Sequence, residues 1–389
     1  MRIDFHASPR PTLGVEWELA LVDRTSRDLT SRAADLIDAT VPHLVSPQRL
    51  HRELLRNTVE VVTGICDDVA AAATDLRGTL EVLLEQADTV GVDLFGAGTH
   101  PFADWSTQQL TPGPRYEELI NRTRWWGQQM LIWGVHVHVG LPAKERVMPV
   151  MGALLTQYPH LLALSGSSPF WAGTDTGYAS NRAMMFQQLP TAGLPFTFGS
   201  WAEFEQMAGD QLTTGVIDDL SEIRWDLRPA THLGTLENRV CDGVSTLGEL
   251  TGLVALIQCL VVDADTRIAA GEELPVLPPW HVQENKWRAA RYGLDAIVIT
   301  HPDNTERLVT DDLADLLVRL EPTAARLGCT EELWSIAQIP THGASYQRQR
   351  AVVGAPGGDL VAVVDQVVGE LRASVHGTPL PPLKDVTSW

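Results

Sequence analysis

The feature that most constrains the fold of this chain is a two-residue alternation of ligand-type and apolar side chains. In the segment LGVEWELALV, Glu16 and Glu18 are separated by Trp17. Because successive side chains of a β-strand point to opposite faces, the two carboxylates share one face and Trp17 faces away from them. Residues 13–22 are therefore predicted to form a strand, which ends at the turn-like sequence DRTS.

Three further segments show the same alternation. Glu60 stands between two valines in RNTVEVVT, and His136 and His138 are separated by one valine in GVHVHVG. In TLENRVC, Glu237 and Arg239 are two residues apart and share a face. These three patterns predict strands over residues 56–63, 134–140 and 235–241. Residues 222–228, which precede the last of these strands in the sequence, are predicted to form a strand as well.

Each motif alone has an ordinary explanation: a solvated strand face, an exposed glutamate, histidines bonded to backbone, or a surface salt bridge. Together, however, the four faces are nearly free of lysine and rich in potential metal ligands. Carboxylates crowded on one surface repel each other unless cations lie between them. Carboxylates with an occasional imidazole suit Mg²⁺ or Mn²⁺, whereas zinc prefers more nitrogen or sulfur. If the strands are adjacent, the pattern predicts divalent cations that bridge phosphate oxygens.

The order of the predicted elements favours the α+β class. Strands lie early and in the middle of the chain, and helices collect late, which differs from regular βαβ winding. No repeat or linker marks a boundary, so one domain over residues 1–389 is expected. The predicted helices are residues 67–89, 114–133, 247–269, 282–296, 305–320 and 359–374.

Composition limits the class of partner. The 29 Lys and Arg against 49 Asp and Glu give a net charge of -20, which disfavours nucleic acid and anionic membranes. The 4 scattered cysteines are expected to be reduced core residues. The first residues contain no apolar stretch typical of a signal peptide, and residues 247–262 are expected to be a buried helix. We therefore expect a soluble, cytoplasmic protein; whether it forms a homo-oligomer stays open.

Several familiar motifs are missing from the sequence. No P-loop, dinucleotide-binding glycine motif or nucleophile elbow occurs, and SGSSP at residues 165–169 is expected to be a turn. Arginines are the candidate binders of phosphate and carboxylate, and about half of such a set is expected to form structural salt bridges. These arginines are Arg182, Arg224, Arg228, Arg239, Arg288, Arg291, Arg348 and Arg350.

Seven segments in the same order resemble the glutamate–cysteine ligase-like carboxylate–amine ligases, in the short bacterial branch called glutamate–cysteine ligase 2. They span about three quarters of the chain. The segments are TLGVEWELALVD (12–23), ELLRNTVEVVTGIC (53–66), GAGTHPF (96–102), GVHVHVG (134–140), SGSSPFWAGTDTGYASNR (165–182), TLENRVCD (235–242) and ENKWRAARYGLDA (284–296).

The resemblance implies a fold like that of glutamine synthetase and the guanido kinases, with ATP and Mg²⁺ on the concave face of a curved antiparallel sheet. It assigns metal binding to six side chains: Glu16, Glu18, Glu53, Glu60, His136 and Glu237. It also implies nucleotide contacts for Arg228, Arg239 and His138, catalytic roles for Arg239 and Glu53, and substrate binding for Arg182.

The implied substrates are small molecules, an amino acid carboxylate, expected to be glutamate, and an amine that the sequence does not identify. Mg²⁺, or Mn²⁺ in its place, would screen the phosphates while the carboxylate attacks the γ-phosphorus to form an acyl phosphate. The amine would then displace phosphate. Two alternatives remain open at this point: a metal-dependent amidohydrolase that uses the His-x-His pair, and a non-catalytic homologue that binds nucleotide or metal.

Overall fold

A computed structural model describes residues 1–380. Its strands are β1 (Leu13–Asp23), β2 (Leu50–Arg52), β3 (Thr58–Val62), β4 (Val92–Phe95), β5 (Gly134–Gly140), β6 (Phe170–Trp171), β7 (Thr174–Asp175), β8 (Ala192–Gly193), β9 (Arg224–Trp225), β10 (Leu227–Ala230), β11 (Thr235–Asp242), β12 (Ile297–Ile299) and β13 (Glu306–Leu308).

The main sheet is open, and its strands that carry the ligand-type residues are neighbours. Its order is β10-β11-β5-β1-β3-β2, every adjacent pair is antiparallel, and β4 pairs with the far end of β1. Segments that are remote in sequence therefore lie side by side at the centre of the sheet. The predicted α+β class and the adjacency of the four patterned strands are both confirmed.

One face of this sheet forms the hydrophobic core. Trp17 is fully buried there with the valines of β3 and β5, as the alternation predicts. Helix α2 packs against β1 and β3, and α9 packs against β5. The helices are α1 (Ala33–Thr40), α2 (Val69–Val90), α3 (Pro114–Thr123), α4 (Trp125–Gln128), α5 (Lys144–Leu154), α6 (Tyr158–Ser165), α7 (Asn181–Phe186), α8 (Trp201–Thr213), α9 (Leu247–Ala269), α10 (Pro279–Tyr292), α11 (Val309–Leu327), α12 (Thr330–Ser335), α13 (Ile339–His342), α14 (Ser345–Gly354) and α15 (Leu360–Val375).

Helix α9 is long and apolar enough to cross a membrane, but most of it is buried inside the protein, as expected for residues 247–262. The cysteines Cys66, Cys241, Cys259 and Cys329 are free and buried, which also agrees with the prediction.

Two predicted elements are wrong. A single helix over residues 114–133 does not form, because Arg124 adopts a positive φ of 50° and separates α3 from α4. A strand over residues 222–228 is interrupted at Asp226, whose side chain turns inward to pair with Lys286. The short strands on either side of Asp226 consequently pair with different partners, β8 and β11.

Candidate functional site

The strand register places the ligand-type side chains in facing positions. Glu16 of β1 lies opposite His136 of β5, and Glu18 lies opposite Glu60 of β3. On the other side of β5, His138 lies opposite Glu237 of β11. Directly opposed residues on antiparallel strands share a face and have Cβ atoms about 5 Å apart. The register therefore builds one continuous polar surface from four strands.

The ligand atoms on this surface fall into three overlapping triads, and within each triad they lie within 4.8 Å of one another. Glu53, which follows β2, joins Glu18 and Glu60 in one triad. Glu16 belongs to the other two triads, and Glu60 is shared between two of the three. All six predicted metal ligands are thus brought together. His138, which was not among these six, belongs to the triad of Glu16, His138 and Glu237.

The carboxylates at one end of the surface resist ionisation. Burial and the nearby Glu53 carboxylate raise the pKa of Glu18 to about 7, although Arg182 and Arg239 act against this rise. Burial and the charges of Glu53, Glu16 and Glu18 raise the pKa of Glu60 well above its usual value. A divalent cation would remove this cost of crowding, because it favours the charged form of every neighbouring acid.

His136 offers a free ligand atom to such a cation. Its Nδ1 lies 2.8 Å from Glu16 Oε2, whereas its buried Nε2 has no hydrogen-bond partner among the described residues. Burial and the charge of Arg239 lower the pKa of His136 to about 4, so the ring is neutral at pH 7. A neutral imidazole held by a carboxylate through one nitrogen is the usual form of a histidine ligand. The donor set of oxygens with one available nitrogen therefore fits Mg²⁺ or Mn²⁺.

At the other end of the surface, cations already balance the acids. Burial alone would raise the pKa of Glu237, but Arg239, Arg228 and His138 hold it well below its usual value. Arg239 hydrogen-bonds to Glu237 Oε1, and Arg228 Nε donates to Oε2 at 2.8 Å. Glu237 is thus an ionised carboxylate at physiological pH.

The polar surface separates two cavities. The larger, of about 900 Å³, is lined by Glu16, Glu60 and His138 together with residues 6–10, 232, 233 and 235. The smaller, of about 150 Å³, is lined by Glu18, Glu53 and His136. The ligand cluster therefore lies between the two cavities, and each cavity is lined by some of its members.

The smaller cavity combines cations with an apolar wall. Four arginines line it: Arg115, Arg182, Arg224 and Arg239. Leucines, Met130, Ile132 and Phe186 supply the apolar part. Guanidinium groups recognise carboxylates by bidentate hydrogen bonding, so this cavity suits a small substrate that carries carboxylate groups.

Buried contacts fix Arg182 in the smaller cavity. Its Nη1 donates to the carbonyl oxygens of Arg239 at 3.3 Å and Val240 at 3.4 Å, and its backbone N–H donates to Ser168 Oγ at 3.0 Å. The Ser168 hydroxyl donates in turn to the buried carboxylate of Asp242 at 2.6 Å. The turn expected over residues 165–169 does not form, since Ser165 ends α6 and Ser168 forms a β-bridge with Ser180. This serine-rich segment supports the start of α7, where Arg182 lies.

The other predicted arginines differ in their surroundings. Arg228 lies at the site, where its guanidinium donates to Glu237 and to the carbonyl oxygens of Ser221 and Ile223. These bonds hold Glu237 in place. Four arginines lie outside the site and contact acidic side chains or backbone carbonyls instead: Arg288, Arg291, Arg348 and Arg350.

Sequence reasoning missed three residues that the structure adds to the cavities. Arg115 and Tyr116 of α3 line the smaller one, but they lie on an exposed amphipathic helix and follow no ligand pattern. His51 of β2 lies opposite Glu60 of β3 and lines the larger cavity. Its position in the sequence HRE, two residues before Glu53, was the available signal.

Comparisons with known proteins agree with this architecture. Residues 12–366 match the family described as glutamate-cysteine ligase family 2. A protein of Nocardioides sp. (strain JS614), named "Putative glutamate–cysteine ligase 2-3", is 68% identical over 375 residues, which cover 96% of this chain and 100% of the relative. A relative from Mycobacterium sp. (strain JLS), "Putative glutamate–cysteine ligase 2-1", is 64% identical over 95% of this chain and 98% of its own length.

Among solved structures, glutamate–cysteine ligase from Francisella tularensis in complex with AMP has a TM-score of 0.66 at 14% identity. The superposition covers 95% of this chain and 90% of that one. A bifunctional glutathione synthetase from Pasteurella multocida gives a TM-score of 0.65 at 14% identity, covering 94% of this chain and 53% of the other. At this identity the likeness is one of fold.

Proposed function

The chain belongs to glutamate–cysteine ligase family 2, whose members are ATP-dependent carboxylate–amine ligases, and from this premise we propose that it joins glutamate to an amine through an acyl phosphate. The observation that carries the proposal is the convergence, between two cavities, of carboxylates and imidazoles from four strands with Glu53 and with arginines from neighbouring elements. An amidohydrolase is excluded by the family, and the complete ligand cluster argues against a non-catalytic homologue.

The two cavities suit the two kinds of substrate. The larger has room for a nucleotide, and its phosphates would reach the polar surface at Glu16, Glu60 and His138. The smaller suits glutamate, because four guanidinium groups line it. The six acids and imidazoles of the predicted ligand set would hold Mg²⁺ between the cavities, with His138 as a further candidate. When bound, Mg²⁺ offsets the charge of the β- and γ-phosphate oxygens and of the attacking carboxylate.

The reaction then follows from two displacements. A carboxylate oxygen of glutamate attacks the γ-phosphorus, the bond to the β,γ-bridging oxygen breaks, and ADP leaves. The amine attacks the acyl carbon, the carbon–oxygen bond to phosphate breaks, and inorganic phosphate leaves. The nitrogen also loses a proton. Glu53 lines the smaller cavity, and this position makes it our candidate acceptor for that proton.

Two arginines have separate roles in this proposal. Arg239 Nη1 lies 3.4 Å from His136 Nδ1 and pairs with Glu237, so its charge is held beside the ligand cluster, where it would stabilise the transferred phosphoryl group. Arg182 is held at the wall of the smaller cavity beside Glu18, where it would bind a carboxylate of glutamate. Fixed cations of this kind need no reorganisation when charge develops.

Release of ADP in the presence of Mg²⁺, glutamate and a panel of amines tests the proposal. Glu16→Gln and Glu237→Gln are each expected to lower turnover about 100- to 1,000-fold, by analogy with the loss of single electrostatic groups at other active sites. Glu85→Gln, at an exposed position on α2, is the matched control and is expected to retain activity. Failure of every amine to stimulate ADP release, or near-normal turnover in Glu16→Gln, would contradict the proposal.

Metal binding has a readout that needs no catalysis. Mg²⁺ is expected to raise the Tm of the wild-type protein, because it relieves repulsion among Glu18, Glu53 and Glu60. Glu60→Gln removes part of that repulsion and one ligand, so its Tm without Mg²⁺ is expected to be equal or higher and its response to Mg²⁺ smaller. An identical Mg²⁺ response in both proteins, measured by scanning calorimetry, would remove Glu60 from the site.

A further inference from the structure

A third cavity, of about 520 Å³, lies outside the proposed ligase site. Its walls come from α5, the far side of α7, residues 192–198 and the start of α10. The lining is mostly apolar and includes Met148, Met151, Met184, Phe196, Phe198 and Trp287. Its volume falls in the range of about 300–1,000 Å³ that is common for small-molecule sites.

One charged side chain among the described residues lines this cavity, and it is a cation. Lys286 is 3% exposed, and its Nζ donates to Asp226 Oδ2 at 2.8 Å. Asp226 is not part of the lining, and it also accepts a hydrogen bond from the Tyr158 hydroxyl at 2.7 Å. An ammonium group has three N–H donors. Among residues 1–380, Asp226 is the one hydrogen-bond acceptor of the Lys286 ammonium, so two of its N–H groups have no protein acceptor there.

We propose that this cavity is a binding site for a small apolar molecule that carries one carboxylate group. The carboxylate would accept the remaining N–H donors of Lys286, and the apolar body would pack against the methionines and aromatic rings. Lys286 is the charged group in the lining, so its remaining N–H donors are what would distinguish a carboxylate ligand from a neutral molecule of similar shape. Methionine side chains adapt to the shape of different ligands.

This cavity shares a wall with the smaller cavity of the ligase site. Arg182 and Phe186 of α7 face the ligase cavity, whereas Met184 of the same helix faces the third cavity. The carbonyl oxygen of Asp226 also accepts the backbone N–H of Arg239 at 2.7 Å. Occupancy is therefore expected to change the KM for the carboxylate substrate, a consequence that rests on the proposed function, whereas binding itself does not.

Fluorescence titration of the full-length protein with 8-anilinonaphthalene-1-sulfonate, an apolar monoanion, tests the binding site. We expect saturable binding that octanoate displaces and that ATP with Mg²⁺ does not. The neutral analogue N-phenyl-1-naphthylamine is expected to bind at least ten-fold more weakly. Equal binding of the neutral analogue, or displacement by ATP, would overturn the proposal, and neither measurement depends on ligase activity.

Gly152 of α5 provides a variant that fills the cavity. A Cβ atom built on Gly152 meets only Val276 Cγ2, at an ordinary 3.7 Å, and Gly152 lines the cavity, so a leucine at this position is expected to extend into cavity space. Gly152→Leu is expected to weaken probe binding at least ten-fold. The matched control is Gly78→Leu on α2, where a Cβ atom meets nothing within 4 Å. Equal binding by the two variants would refute the assignment, and the comparison of charged and neutral probes stands even if Gly152→Leu does not fold.

Discussion

A single methyl group at Gly134 is predicted to displace Arg182 and leave the sheet intact. A Cβ atom on Gly134 would lie 2.1 Å from Arg182 Nη2 and 2.5 Å from Cζ, because the guanidinium lies directly over the glycine. To reach even 3.0 Å, Nη2 must move by about 0.9 Å. The clashing atoms are the end of a long side chain, so Gly134→Ala is expected to fold.

The magnitude follows from the contacts that such a shift breaks. Arg182 would leave the carbonyl oxygens of Arg239 and Val240, which lie at 3.3 and 3.4 Å and have little distance to spare. Misplacing a substrate-binding group by about 1 Å costs on the order of 100-fold in rate. We therefore expect kcat/KM for glutamate to fall about 100-fold, which corresponds to about 2.7 kcal/mol.

Steady-state ADP release at varied glutamate concentration measures this effect. Gly14→Ala is the matched control, because Gly14 lies on the same face of the adjacent strand and its added Cβ meets His138 Cβ at an ordinary 3.6 Å. Its glutamate KM is expected to stay within about two-fold of the wild type. In a double-mutant cycle, Gly134→Ala is expected to add almost nothing to Arg182→Ala, because both changes act through the same guanidinium.

Two outcomes would refute this reasoning. Near-normal kcat/KM in Gly134→Ala would show that the position of Arg182 does not matter for the substrate. Additive losses in the double variant would show that Gly134 acts by another route, such as its N–H bond to Glu18 Oε2 at 2.6 Å. Circular dichroism and Tm, measured alongside, separate either result from a loss of fold.

Two further predictions concern stability. Burial lowers the pKa of His100 to about 4, so the unfolded chain binds a proton between pH 6.5 and 4 that the folded chain does not, and stability falls as pH falls through this window by up to about 3 kcal/mol. Urea unfolding at pH 7 and 4.5 is expected to show a smaller loss in His100→Gln than in the wild type; equal losses would contradict the assignment. Arg348 forms buried ion pairs with Glu249 and Glu370, at 2.8 and 3.1 Å, so Arg348→Met leaves two uncompensated carboxylates and is expected to cost about 3–5 kcal/mol. Guanidinium denaturation measures this loss, and a cost below 1 kcal/mol would show that the pairs are not needed.

The sequence is most informative in strands whose apolar residues face the core and whose alternate residues face the site. Trp17 and the valines of β5 must be buried, so the residues between them must face the other way, and this placed Glu16, Glu18 and His136 on one face. Strand β5 was predicted with its observed bounds for this reason. The adjacency of the strands could not be derived from periodicity, because any antiparallel order satisfies the same alternation.

Elements that depend on tertiary contacts were predicted less well. Helices α5, which has Pro149 inside it, and α8 were not predicted from the sequence. Asp226 interrupts a strand only because Lys286 lies nearby in the fold, although 60 positions separate them in sequence. Arg115 reaches the smaller cavity for the same kind of reason, and nothing local in the sequence marks it.

The strand order also has a consequence for how the protein matures. Strand β11 ends at Asp242, yet it pairs directly with β5 near the centre of the sheet and brings Glu237 and Arg239 with it. During synthesis, His136, His138 and Arg182 emerge before β11, whereas Glu237 and Arg239 join the acids of β1 and β3 only after more than half of the 389 residues have been made. A fragment that stops before residue 235 would leave the β5 edge unpaired, and an unpaired edge is prone to pair with another chain. The proposed site is therefore complete only once β11 has paired with β5.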